Sequence, residues 1–170
     1  MPNEIINRVT NSKLITLNLE DYYPEGKRVL FDIKNWLHEG LVLREKDFRN
    51  QVTTYNWTQF QDNYIALTCS NDAIIPGWAF MLISLELEPY AKKIIIGNLE
   101  TLETSIYQDV LKNLELDYLK NKPIIIKGCA NKPVPQNAYI MLATKLKPLA
   151  KSIMYGEACS SVPLYKNKLP

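Results

Sequence analysis

The sequence predicts an α/β protein built on an open, mostly parallel sheet with helices on both faces. Three observations predict it. Short, nearly all-apolar runs recur at Tyr64-Ile65-Ala66-Leu67-Thr68, Ile94-Ile95-Ile96, Ile124-Ile125-Ile126 and Ile153-Met154-Tyr155, the pattern of strands buried on both faces. Segments of helical period lie between them, which is the alternation that builds parallel sheets. Hydrophobic residues make up 46% of the 170 and charged residues 22%, a balance that supplies a sizeable core.

Taken in order, Met1 to Asn11 contains Glu4 and Arg8 and has no long apolar stretch, so it is not read as a signal peptide. Leu14 to Leu19 alternates as a strand does. Asp21 to Gly26 reads as a turn-rich loop with Pro24 and Gly26. Val29, Phe31 and Ile33 fit another strand; alternatively Asp32 caps a short helix through Trp36 and Leu37 that stops at Gly40. Phe48, Val52 and Tyr55 predict a helix from about Glu45 to Tyr55. Pro76 to Leu87 reads as a helix with Trp78, Met81, Leu82 and Leu85 at helical spacing, and Thr101 to Leu114 as one whose apolar face is Leu102, Ile106, Val110, Leu111 and Leu114. Pro135 to Leu146 is the last predicted helix. Trp36, Trp57 and Trp78 read as core or loop anchors, and Lys166 and Lys168 as a solvated tail.

No Ser/Gly-rich linker precedes Asp62, so 1–170 is read as a single domain, with 1–61 an N-terminal α/β extension and 62–165 a βαβαβαβ core. That core contains an internal repeat. Cys69-Ser70-Asn71 matches Cys129-Ala130-Asn131. After a one-residue gap, Pro76, Ala79, Leu87, Pro89 and Gly97 match Pro135, Ala138, Leu146, Pro148 and Gly156. Right-handed crossovers permit the order 2-1-3-4 for the four core strands; the sequential order 1-2-3-4 would separate Cys69 from Cys129 by roughly 10 Å at the backbone.

The chemistry-bearing residues in this pattern are the cysteines. Cys69, Cys129 and Cys159 each follow a predicted strand, and ligands of open parallel sheets bind beyond the carboxyl ends of strands. The order 2-1-3-4 puts the three cysteine-bearing strands side by side, about 4.8 Å apart. Helix N-termini after Cys69 and Cys129 favour a thiolate. Three thiolates with an open position suit zinc or an iron–sulfur cluster. Asp72, three residues after Cys69, is the candidate fourth ligand or a helix cap. His38 is the single histidine and reads as a surface residue. No CxxC pair is present, so the pattern is not that of a zinc ribbon.

Other classes find little support. The net charge is +2, too small for a nucleic-acid footprint, and the apolar stretch Ala73 to Leu85 is too short to span a bilayer. An odd cysteine count without an export signal points to reduced thiols and a cytoplasmic protein. There is no glycine-rich phosphate loop and no GxSxG elbow, and no catalytic residue is assigned. Glu20, Asp21 and Glu25 with Tyr22 and Tyr23 read as a solvated acidic turn. The function expected is metal or iron–sulfur binding through Cys69, Cys129, Cys159 and Asp72. The alternatives are a redox enzyme with one reactive cysteine and an interaction module with inert cysteines.

Four segments also resemble a known family: Asn3-Glu4-Ile5-Ile6-Asn7-Arg8-Val9, Leu19-Glu20-Asp21-Tyr22-Tyr23-Pro24-Glu25-Gly26, Ala73-Ile74-Ile75-Pro76 and Ser152-Ile153-Met154-Tyr155-Gly156-Glu157. The chain resembles the bacterial domain-of-unknown-function family 2480, typical of Bacteroidetes. The resemblance supplies no activity. It implies iron–sulfur assembly proteins as partners, by association of the genes and not by mechanism.

Overall fold

The structure is a computed structural model that describes residues 14–167; the readings of Met1–Asn11 and Lys168 lie outside the described residues. In chain order the elements are β1 (Ile15–Leu17), β2 (Arg28–Asp32), α1 (Glu45–Thr54), β3 (Tyr64–Thr68), α2 (Gly77–Leu87), β4 (Lys93–Ile96), α3 (Leu99–Asn113), β5 (Pro123–Ile126), α4 (Gln136–Leu146), β6 (Ser152–Glu157) and β7 (Ser160–Lys166). 3-10 turns occupy Leu19–Tyr22, Ile33–Trp36, Trp57–Phe60 and Asp117–Leu119. The α/β class is as predicted. The chain divides into two compact units, Met1–Tyr23 with Tyr107–Pro170, and Pro24–Ile106; the division falls inside α3.

The unit Pro24–Ile106 holds a three-stranded parallel sheet, order β2-β3-β4. The central strand β3 buries Ile65, Ala66 and Leu67 in succession, because both of its faces are covered. Each reading of the Asp32 region holds in part: the strand ends at Asp32, so Ile33 belongs to the turn, and the turn ends at Trp36, short of Gly40. Val29 and Phe31 lie in β2, and Asp32 ends the strand and caps the turn Ile33–Trp36 by accepting the Lys34 N–H. Phe31 centres an aromatic cluster, its ring 5.3 to 5.7 Å from those of Trp36, Tyr55, Trp57 and Phe60. Trp57 is buried and its indole N–H donates to the Val52 carbonyl at 2.9 Å. At the other end of β2, Arg28 Nε lies 2.6 Å from Glu103 Oε1 of α3. The same guanidinium donates to the Pro24 and Gly26 carbonyls. Removing either charge leaves the other buried without it, at a cost of about 3–5 kcal/mol.

The unit built from β1 and the C-terminal elements holds a four-stranded sheet, order β1-β5-β6-β7. β1, β5 and β6 run parallel, and β7 returns antiparallel to β6. Its core gathers Leu17, Leu19, Tyr107, Ile124, Ile126, Leu142 and Leu146. The buried Tyr107 hydroxyl donates to the Leu19 carbonyl at 2.9 Å.

The strand order 2-1-3-4 is corrected. Its outer pairings are present, β4 with β3 and β5 with β6, but β3 and β5 belong to different sheets. β2 occupies the position beside β3 and β1 the position beside β5. Residues 1–61 are thus not an extension beside a finished core, since they supply one strand to each sheet. β7 was not foreseen, because Ser160-Ser161-Val162-Pro163 reads as loop. Pro163 is tolerated there because β7 is an edge strand and the proline sits at a register shift opposite Ile153 and Met154.

The two repeated segments share backbone detail. Asp62 and Asn121 share a positive φ, 60° and 59°. Their N–H groups bond the Tyr90 and Leu149 carbonyls, both at 2.9 Å. Gly97 and Gly156 end β4 and the core of β6 with φ of 147° and 123°. At Gly156 a Cβ would lie 2.6 Å from the Ser160 carbonyl oxygen. Gly156→Ala is therefore expected to lower stability by about 1–3 kcal/mol. Gly77→Ala, at the first position of α2 with nothing within 4 Å of the added carbon, should be neutral or stabilising by up to about 1 kcal/mol. Urea denaturation of the two variants reads both signs.

Candidate functional site

The loops after β3 and β5, at the carboxyl ends of parallel strands, each hold a cysteine, Cys69 and Cys129, and each is fastened by a carboxylate. In the unit Pro24–Ile106, Asp32 Oδ1 accepts the Ser70 N–H at 3.1 Å as well as the capping N–H of Lys34 at 3.0 Å. Desolvation acts to raise the Asp32 pKa, but hydrogen bonds from Ser70 and Lys34 outweigh it and hold the carboxyl below its ordinary value. Asn71 reaches the Gly40 carbonyl at 2.7 Å. Cys69 packs half-buried against the hydrophobic core, its Sγ 3.7 Å from the Asn71 carbonyl.

In the other unit the two duties of Asp32 are divided. Asn18 caps the turn Leu19–Tyr22 by accepting the Glu20 N–H. Glu20 Oε1 accepts the N–H groups of Asn131 and Lys132, the latter at 2.7 Å. The Lys132 N–H is the largest influence on Glu20 and lowers its pKa against desolvation; Asn131, Asn18 and Lys127 lower it further. Lys132 also extends over the Tyr23 ring, 5.1 Å from its centroid. Tyr139 and Tyr155 meet edge to face at 5.8 Å. The Tyr139 pKa is raised by desolvation first, then by Tyr155, Glu20 and Cys129.

The three cysteines are not equivalent. The single separation that relates Asp62 to Asn121 and Gly97 to Gly156 places Cys69 opposite Gly128, and Ser70 opposite Cys129. The Cys-x-Asn match is therefore a register slip of one residue. The packing gives the reason: a Cβ on Gly128 would lie 3.0 Å from the Tyr155 ring. The Tyr155 ring leaves little room there, and the cysteine lies one position later, exposed on the loop. Cys159 is also exposed, at the Ala158-Cys159 tip of the β6–β7 hairpin.

All three thiols are free. Cys69 belongs to one unit, Cys129 and Cys159 to the other. Among the described residues, no group of three or more His, Cys, Asp or Glu side chains is placed to hold a metal ion. Asp72 is exposed at a bend, and no side chain caps α2. His38 is half-exposed, with Nε2 3.7 Å from Glu39. What the arrangement offers is two accessible thiols, Cys129 and Cys159, on loops leaving the hydrogen-bonded neighbours β5 and β6. Glu20 was missed as a positioning residue, because a carboxylate in an acidic turn gives no sign in the sequence of the distant loop it will bind.

No helix of the described residues is long and apolar enough to cross a membrane. A family model described as Protein of unknown function (DUF2480) matches residues 3–167. No curated protein and no solved structure matches.

The depressed Glu20 pKa fixes a pH dependence. A carboxyl with a lowered folded-state pKa contributes stability above its unfolded value, about 4.3, and loses it as pH falls through the folded value. Acidification below about pH 4 is expected to loosen the Cys129 loop. Glu20→Gln should loosen it at neutral pH. Hydrogen exchange at the Asn131 and Lys132 amides measures both effects; equal protection in wild type and variant at pH 7 would contradict the fastening role.

Proposed function

The chain belongs to the DUF2480 family of proteins of unknown function, and we propose that it is an accessory protein whose working groups are the Cys129 and Cys159 thiols. In this reading they take up a soft metal ion at the carboxyl end of the β1-β5-β6-β7 sheet. The observation that carries it is the pair of free, exposed thiols on loops that leave adjacent parallel strands. Thiolates select zinc, copper(I) and iron–sulfur species over hard cations. Two protein thiolates leave coordination positions open for water or for a partner's ligands, which suits handing a metal on more than storing it. The partner in this reading is an iron–sulfur assembly protein, and a cytoplasmic setting keeps both thiols reduced. Cys69, packed against the core, serves structure.

A second reading, an interaction module with inert cysteines, is favoured by α2. That helix is apolar nearly all round, yet it buries only Ala79, Ile83 and Leu87 and leaves Met81 and Leu85 66% and 71% exposed. A helix of such composition is normally covered.

Anaerobic titration with zinc or copper(I) against a competing chelator separates the readings. One equivalent per chain is expected, lost in Cys129→Ser and in Cys159→Ser and kept in Cys69→Ser. No binding by the wild type, or equal loss in Cys69→Ser, would sink the two-thiol site. Inert thiols together with no binding would leave the interaction module.

A further inference from the structure

We propose that the free edge of β4, with the flank of α2 above it, is the surface through which two copies of this chain pair. The two β4 strands run antiparallel about a two-fold axis at Ile95 and join two three-stranded sheets into one of six strands.

The repeat shows what such an edge takes. β4 and β6 hold equivalent positions, and each reaches a glycine of positive φ, Gly97 and Gly156. Beyond Gly156 the chain turns back, and β7 covers the outer edge of β6 as an antiparallel strand, with Val162 opposite Tyr155. Beyond Gly97 the chain enters α3 at Leu99 instead. β4 is hydrogen-bonded to β3 alone within its sheet, and among the described residues no strand returns to its other side.

That side is shaped for strand addition. The Gly97 N–H bonds the Leu67 carbonyl at 2.9 Å. Main-chain groups alternate in direction along a strand, so Ile95 also faces β3, and the N–H and C=O of Ile94 and Ile96 point outward. A groove of about 190 Å³ follows this edge, lined by Ile94, Ile95 and Ile96 and by Phe80, Met81 and Ser84 of α2. None of these residues is charged. The Ser84 hydroxyl donates to the Met81 carbonyl at 2.8 Å, so no side chain of the groove asks for a polar partner. Met81 and Ile96 are 66% and 63% exposed, and Leu85, one turn beyond Met81, is 71% exposed. Together they expose roughly 400 Å², an apolar patch of the size that marks an interaction surface. An apolar edge without proline or bulge is a template for a further strand.

A second copy fits because the surface complements itself. Ile94-Ile95-Ile96 reads alike in both directions. With Ile95 on the axis, Ile94 of each copy faces Ile96 of the other as a hydrogen-bonded pair, and every outward N–H and C=O of the two residues is satisfied. The helices then fall at packing distance. α2 sets Ala79, Ile83 and Leu87 into the core that holds Ile65 and Leu67 of β3 and Ile94 of β4, so it rests over that strand pair. Its image lies two strand spacings away, about 10 Å, the separation at which helices pack. Charge agrees with this arrangement. Lys93 is the one charged residue of β4. The two copies of it lie four residues apart along the pair, about 13 Å, beyond the screening length of about 8 Å. The interface uses neither Cys129 nor Cys159, so it stands whichever way the metal titration falls.

The test uses the full chain. Sedimentation equilibrium at micromolar concentration is expected to give twice the 19.6 kDa mass of the chain. Ile96→Lys and Met81→Glu, both at exposed positions, should each weaken the dimer at least about tenfold, with the far-UV circular dichroism of the folded chain retained. The Cα atoms of the axial pair would lie about 4.5 Å apart, within disulfide range. Ile95→Cys, in a chain also carrying Cys129→Ser and Cys159→Ser, should therefore oxidise to a linked dimer much faster than Leu30→Cys, on the edge of β2, in the same background. A wild type that stays monomeric overturns the proposal, whether its Ile94 and Ile96 amides exchange freely, leaving the edge to a different protein, or are protected by another part of the chain. A dimer that both charged variants leave intact overturns it as well, and so does a dimer in which Ile95→Cys links no faster than Leu30→Cys.

Discussion

Two parallel strands joined by one helix leave a long hydrogen-bonding edge open, and closing that edge is the constraint on which this structure depends. β3–α2–β4 and β5–α4–β6 are each such a ribbon, and a two-stranded sheet is marginal by itself. β2 and β1 close them. Only with the third strand in place is the middle strand covered on both sides and both faces, and Ile65–Leu67 and Ile124–Ile126 are accordingly all apolar and buried. The capped turn after each closing strand follows from that pairing.

The closing strands also bring chemistry with them. Each ends in a capped 3-10 turn, and each supplies a carboxylate to the loop at the carboxyl end of its neighbour. One copy performs capping and fastening with Asp32 alone; the other uses Asn18 and Glu20. The repeat therefore preserves a physical function where it does not preserve a residue. The cysteines show the converse. Cys69 and Cys129 look alike in local sequence, but Tyr155 lies close behind Gly128 and the Cys129 thiol sits at the surface. One cysteine is part of a core and the other is available to solvent.

Much of this was legible in the sequence. Strands with unbroken apolar runs and helices with one apolar stripe announce themselves, and β3, α1 and α2 fall within a residue of their predicted limits. β7 was not legible, because an edge strand with Val162 and Leu164 facing solvent and Pro163 at a bulge has no buried face to impose alternation. Strand order was half legible: each helical crossover fixes its own two strands, but which N-terminal strand completes each ribbon depends on contacts between segments far apart in sequence. The candidate site suffered from the same limit. Cysteines at strand ends were visible, whereas the separation of their sheets and the reach of Glu20 to Asn131 and Lys132 are properties of pairing alone.

The route of the chain sets a timetable for its assembly. Pro24–Ile106 is continuous, so its sheet has every strand it needs as soon as β4 has been synthesised. The other sheet does not. β1 is made first, yet its partner β5 comes about a hundred residues later, a closure whose entropy costs only about 2 kcal/mol more than a short loop's but whose delay is set by translation at about 5–20 residues per second. For several seconds, then, Ile15–Leu17 waits on the ribosome as a strand without a sheet, while a complete neighbour folds between it and its destination.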